Sequence, residues 1–177
     1  MIKIVPDFPR PGIQFLDITP FLLDPEEVKK ALDALCAQVK AVADGEPIVI
    51  IGPEARGFIF GSMVAAKLEM PFFMLRKGGK LPNDGTQVEF SASKEYGSSV
   101  FQVNMADLDD LKARGLRKVV ILDDVMATGH TNLAVADFFK AQGFEVALVM
   151  HLIEIVPLKG NDLYVKAGYP TYSYIKH

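Results

Sequence analysis

Apolar positions along this chain follow two alternating patterns. Val28, Leu32, Leu35, Val39 and Val42 recur at spacings of three and four, which predicts one apolar stripe on a helix. Asp24 is placed to cap that helix and Pro25 suits its first position. Glu27 completes an Asp-x-x-Glu capping box, and Asp44-Gly45 marks the end. An unbroken β-branched run follows, Ile48-Val49-Ile50-Ile51, bounded by Pro47 and Gly52. Such a run suits a strand buried on both faces of a parallel sheet.

The alternation continues with a helix over 58–68 and a strand over 72–75. Next comes a long stretch containing Gly, Ser and Asn, up to about Ser99, with little apolar patterning. A loop of that length in a compact domain is expected to be a mobile flap. Val100–Val103, a polar helix over 107–114 and a strong strand over 118–122 come after it. A helix over 131–142 carries Leu133, Val135, Ala136 and Phe139 on its apolar face. Gly143 ends that helix, and a strand over 145–153 closes the series. Strands alternating with helices of this length predict an α/β domain with a mainly parallel central sheet flanked by helices.

Composition bounds this picture. At 177 residues the chain is expected to form one domain, 1–177, able to bury its own core without disulfides or a structural metal. Half of the residues are hydrophobic and 23% are charged, which excludes a disordered chain. The longest stretch without a formal charge, from Val125 to Ala136, is too short for the ~20 apolar residues of a membrane helix. With no signal-peptide pattern at the N-terminus, a cytoplasmic location is expected. One cysteine, Cys36, and three scattered histidines give no metal-ligand spacing. A net charge of −3 argues against nucleic acid as partner, so an anionic ligand would need a local basic cluster.

Chemistry concentrates in Val119-Val120-Ile121-Leu122-Asp123-Asp124-Val125-Met126-Ala127-Thr128-Gly129-His130-Thr131. Here an apolar strand ends in two carboxylates, then a Thr/Gly turn enters a helix. Backbone N–H groups at a helix start favour a phosphate, and Thr128 and Thr131 add hydroxyls. Asp123 and Asp124 would repel that phosphate. They are therefore expected to accept hydrogen bonds from sugar hydroxyls or to act through a divalent ion.

This segment resembles the phosphoribosyl pyrophosphate loop of the type I phosphoribosyltransferases. The resemblance spans nearly the full chain and is similar in order to adenine phosphoribosyltransferases. It is carried by Asp7-Phe8-Pro9-Arg10-Pro11-Gly12, Asp17-Ile18-Thr19-Pro20, Ala55-Arg56-Gly57-Phe58, Leu75-Arg76-Lys77, Gly79-Lys80-Leu81-Pro82, Glu95-Tyr96-Gly97 and Leu158-Lys159-Gly160. It implies a type I fold with a small N-terminal hood and a mobile flap. It also implies transfer of a 5-phosphoribosyl group from phosphoribosyl pyrophosphate to adenine, giving AMP and pyrophosphate in purine salvage. Mg²⁺ would be held mainly through the substrate pyrophosphate, and the enzyme would be a homodimer.

Residue by residue, the resemblance assigns phosphoribosyl pyrophosphate binding to Arg56, Arg76, Lys77 and Lys80, to Asp123 and Asp124, and to the loop Ala127, Thr128, Gly129, His130 and Thr131. Glu95 and Tyr96 match the flap residues, the glutamate as acid/base near the purine and the tyrosine in closure. Phe15 matches the residue that stacks on adenine, Val125 covers the other face, and the backbone of Gln14 and Leu16 reads the purine edge. A cis peptide is expected at Glu54-Ala55. Three positions depart from the family pattern: Leu16 and Gly78 stand where basic residues are usual, and His130 replaces a glycine. Two other functions are weighed against this one: transfer to another purine such as xanthine or hypoxanthine, and a non-catalytic regulator that senses phosphoribosyl pyrophosphate. The retained Glu95, and the lack of a helix-turn-helix or a basic face, favour the enzyme.

Overall fold

The structure, a computed structural model, describes residues 2–94 and 97–177, with only the backbone of Ser93, Lys94 and Gly97. Strands β1 (Lys3–Pro6) and β2 (Gln14–Asp17) form an antiparallel hairpin, followed by the short helix α1 (Thr19–Leu22). Then come α2 (Pro25–Ala43), β3 (Ile48–Pro53), α3 (Gly57–Leu68), β4 (Phe72–Lys77), β5 (Gln87–Lys94), β6 (Gly97–Asn104) and α4 (Met105–Ala113). The chain continues through β7 (Lys118–Met126), α5 (His130–Ala141), β8 (Glu145–Glu154), a 3₁₀ turn (Val156–Leu158), α6 (Gly160–Ala167) and β9 (Thr171–Lys176).

Seven strands make one sheet in the order β5-β6-β4-β3-β7-β8-β9. The five from β4 to β9 run parallel, while β6 joins β4 antiparallel and pairs with β5 in a hairpin. This is the mainly parallel α/β sheet that the alternation predicts. Residues of β3 and β7 are buried on both faces, as their unbroken apolar runs require.

Two cores follow from the period-two alternation of these strands. Ile48, Ile50, Val120, Leu122, Met150 and Leu152 pack against Leu35 and Val39 of α2 and Phe60 and Val64 of α3. Val49, Ile51, Val119, Ile121 and Val149 face the opposite way, toward α4, α5 and Tyr164 of α6. Leu16, Ile18 and Phe21 join the first core, so the N-terminal hairpin is anchored over the α2–α3 face of the sheet.

Four differences from the sequence reading have physical causes. Asp24 caps α2 through Glu26 N–H (3.1 Å) and Glu27 N–H (3.2 Å), but Glu27 does not bond back to it. The Asp24 amide is already taken by Phe21 O of α1, and Glu27 pairs with Lys30 at 2.7 Å. The stretch after β4 is not all loop: its second half is the β5–β6 hairpin, and Val88, Phe90 and Ala92 alternate there with polar residues as a half-buried strand requires, a short signal that the Gly- and Asn-containing surroundings obscured. Strand β7 runs four residues beyond Leu122, because β8 continues to pair with it as far as Met126↔Glu154. Finally, α6 and β9 follow β8 although their short, mixed patterns gave no sequence signal.

Leu35 is fully buried between α2 and the sheet. Leu35→Ala should lower unfolding free energy by ~2–5 kcal/mol, read as a lower urea midpoint at unchanged m-value.

Candidate active site

After Met126, Ala127, Thr128 and Gly129 turn the chain from β7 into α5. Gly129 sits at φ 83°, a conformation that favours glycine, and a Cβ there would also lie 2.8 Å from Gly160 O. The turn is clamped from α6. Gly160 approaches so closely that a Cβ on it would overlap the Ala127 carbonyl and lie 3.0 Å from Gly129 N. The buried Tyr164 donates its hydroxyl to Gly129 O at 2.8 Å. Gly129 O also accepts the first intrahelical bond of α5, from Leu133 N–H. The amides ahead of it belong to the set that a helix start offers to an anion. His130 is exposed, with Nδ1 3.1 Å from Thr128 Oγ1, so its side chain lies along the turn and leaves the loop backbone unobstructed.

Asp123 and Asp124 are the sixth and seventh residues of β7 and project to opposite faces of the sheet. Asp124 is buried, with Oδ2 2.9 Å from Arg56 Nε. Asp123 accepts the Asp124 amide on Oδ1 (2.9 Å) and the Asn132 side-chain amide on Oδ2 (3.2 Å). Surrounding protein, and then the neighbouring Asp124 charge, push the Asp123 carboxyl up to about 7. Burial pushes the His151 imidazole down to about 3 and so keeps it neutral.

Glu54 opens the turn between β3 and α3. Its carboxylate accepts Lys77 N–H (3.0 Å) and Arg76 Nε–H (3.1 Å), and these two bonds hold it below the usual carboxylate range. The Glu54-Ala55 peptide is cis, as expected. Arg56 follows, lying 5.1 Å above the Phe15 ring and reaching Leu16 O at 3.5 Å, so the hood and the acid pair share one guanidinium.

These groups line a cavity of about 700 Å³. Of the residues predicted as site members, Gln14, Leu16, Arg56, Lys77, Asp123, Asp124, Val125, Ala127, Thr128, Gly129 and Thr131 line it together. Four others stand outside its walls. Phe15 turns its ring to Arg56 and, edge-on at 5.1 Å, to Phe8. Arg76 is tied to Glu54 and lines a smaller cavity beside Phe72 and Asn104. Lys80 lies on the exposed turn after β4, and His130 is placed as described above. Glu95 and Tyr96 lie outside the described residues.

The sequence reading missed Asn132, His151 and Tyr164, which line the same cavity. Only a polar residue inside an apolar pattern could have flagged Asn132 and His151. Leu158-Lys159-Gly160 was noted as a match without a role; its glycine is the close-packed wall of the turn.

The amide turn, the paired acids and the hood meet in one cavity at the carboxyl ends of parallel strands, where ligands of open α/β sheets bind. The sequence profile of the Phosphoribosyl transferase domain family matches residues 22–170. An adenine phosphoribosyltransferase of Desulfitobacterium hafniense is 40% identical over 176 residues, covering 99% of this chain and 95% of the relative. The crystal structure of the adenine phosphoribosyltransferase from Rhodothermus marinus superposes with a TM-score of 0.82 at 35% identity, covering 99% of this chain and 94% of that one. The Giardia lamblia enzyme complexed with 9-deazaadenine gives a TM-score of 0.84 at 32% identity, covering 100% and 94%. The chain belongs to the adenine phosphoribosyltransferase family.

Because the folded protein raises the Asp123 carboxyl from 3.8 to about 7, ionising it opposes folding. The penalty is absent below pH 4, grows as pH rises to about 7 and is complete above that. Asp123→Asn should therefore stabilise the ligand-free protein at pH 8 and have little effect at pH 4. Urea unfolding at both pH values checks this; equal effects at the two would refute it.

Proposed function

We propose that this chain transfers the 5-phosphoribosyl group of phosphoribosyl pyrophosphate to N9 of adenine. The bond from C1 to the pyrophosphate oxygen breaks and the bond from C1 to N9 forms. The proton on N9 leaves, and AMP and pyrophosphate are the products. One observation carries the reading: the amide turn at the start of α5, the acids at the end of β7 and the backbone of the hood all open on one cavity.

In this scheme the Ala127–Thr131 turn holds the 5-phosphate through main-chain N–H groups, with Thr128 and Thr131 adding hydroxyl donors. Asp123 and Asp124 accept hydrogen bonds from the ribose diol. Lys77, whose backbone is fixed by Glu54, contributes positive charge for the leaving pyrophosphate. Arg56 begins paired with Asp124 and beside Phe15, so it links the sugar site to the base site. Adenine would stack on Phe15 in place of that guanidinium, with Val125 on its other face. Glu95 acts as acid/base near the purine and Tyr96 in flap closure, on the strength of the family resemblance; closure would exclude water from a cationic sugar centre.

Mg²⁺ fits this donor set as a companion of the substrate. Among the described residues no three His, Cys, Asp or Glu side chains form a group able to hold a metal. Asp123 and Asp124 would supply a minority of its ligands and the substrate and water the rest. When bound, the ion would neutralise charge on the departing pyrophosphate. A homodimer is carried over from the same resemblance. A cytoplasmic location is supported only in that no described helix is long and apolar enough to cross a membrane.

Incubation with phosphoribosyl pyrophosphate, Mg²⁺ and adenine should yield AMP, whereas hypoxanthine and xanthine should yield little nucleotide; equal use of another purine would reassign the base. Glu95→Gln should lower kcat about a hundredfold or more while changing KM for adenine far less. Unchanged turnover would remove Glu95 from the scheme.

A further inference from the structure

Asp123, His151 and Ser173 are register partners across the parallel strands β7, β8 and β9. Register partners in parallel strands project to the same side, here the side covered by α5 and α6. Nearer the sheet centre that face is apolar, with Val119, Ile121 and Val149. At its cavity end it becomes polar, and Asn132 of α5 descends onto it. The Asn132 side-chain nitrogen lies 3.2 Å from Asp123 Oδ2 and 3.1 Å from His151 Nε2.

These contacts determine donors and acceptors. The Asn132 NH₂ only donates, so Asp123 Oδ2 is the acceptor of this contact. Its second N–H then points to His151 Nε2, which must be the unprotonated ring nitrogen, leaving the proton on Nδ1. A neutral imidazole meets that need, and burial keeps His151 neutral. The Asp123 carboxylate is thus pinned through both oxygens, Oδ1 by the Asp124 amide and Oδ2 by Asn132.

Stability accounts for this pair only in part. Asn132 is 3% exposed and His151 1%, and Asn132 Oδ1, His151 Nδ1 and Ser173 Oγ have no hydrogen-bond partner among the described residues. Buried polar atoms left in that state cost free energy, which offsets part of what the two hydrogen bonds of Asn132 contribute.

We propose that Asn132 and His151 are positioning residues: Asn132 fixes the plane of the Asp123 carboxylate for the ribose diol, and His151 fixes Asn132. This rests on the reading of Asp123 as a ribose ligand.

Steady-state kinetics with each substrate varied, alongside thermal unfolding, test it. Asn132→Leu should raise KM for phosphoribosyl pyrophosphate about tenfold and hold KM for adenine within about twofold; some fall in Tm accompanies it, because Asp123 Oδ2 and His151 Nε2 lose their donor. His151→Leu should shift the same constant in the same direction. His151→Gln, whose amide oxygen reaches the place of Nε2, should restore it to within about twofold, a rescue that volume alone does not explain. The proposal is overturned if Asp123→Asn raises KM for phosphoribosyl pyrophosphate while Asn132→Leu and His151→Leu do not. It is equally overturned if both KM values rise together with a fall in Tm, which marks a purely structural role. Should Asp123→Asn itself leave that KM unchanged, the ribose reading fails and this inference with it.

Discussion

Two neighbouring carboxylates at the end of a buried parallel strand are the constraint around which this molecule is arranged. Successive residues of β7 project to opposite faces, so Asp123 and Asp124 need separate compensation from separate elements. Asp124 finds it in Arg56, at the start of α3. Asp123 finds a hydrogen bond from Asn132 in α5, and among the described residues no cation pairs with it; its carboxyl rises well above the usual range. Arg56 thus sits against one acid, while the other lies among neutral partners.

The amide turn is built with the same economy. Its glycine takes the left-handed conformation, and its carbonyl accepts from both Tyr164 and Leu133. The close approach of Gly160 leaves no room for a side chain. These contacts fix the turn's backbone before a ligand arrives, so little conformational entropy remains to be lost on binding. The His130 side chain is exposed and lies against Thr128.

Much of the fold was legible in the chain. The β-branched runs at 48–51 and 118–122 are buried on both faces, and no other environment suits such runs in an α/β protein. The stripe from Val28 to Val42 became α2. What failed was local. Glu27 could not complete the capping box, because α1 had already supplied a carbonyl to the Asp24 amide. The alternation of Val88, Phe90 and Ala92 in β5 is only three apolar positions long and follows a Gly- and Asn-containing loop, and α6 and β9 were too short to show a period.

In the site, residue types and their order along the strand and turn determined the phosphate loop, the acid pair and the family, since these depend on neighbours within a few residues. Which distant groups meet them was decided only in three dimensions. Arg76 went to Glu54, Arg56 to Asp124 and Phe15, and Asn132 to Asp123 and His151. The reason is register: pairing between β7 and β8 beyond the core sets Asp123 beside His151, and no linear pattern encodes the partner of a strand residue.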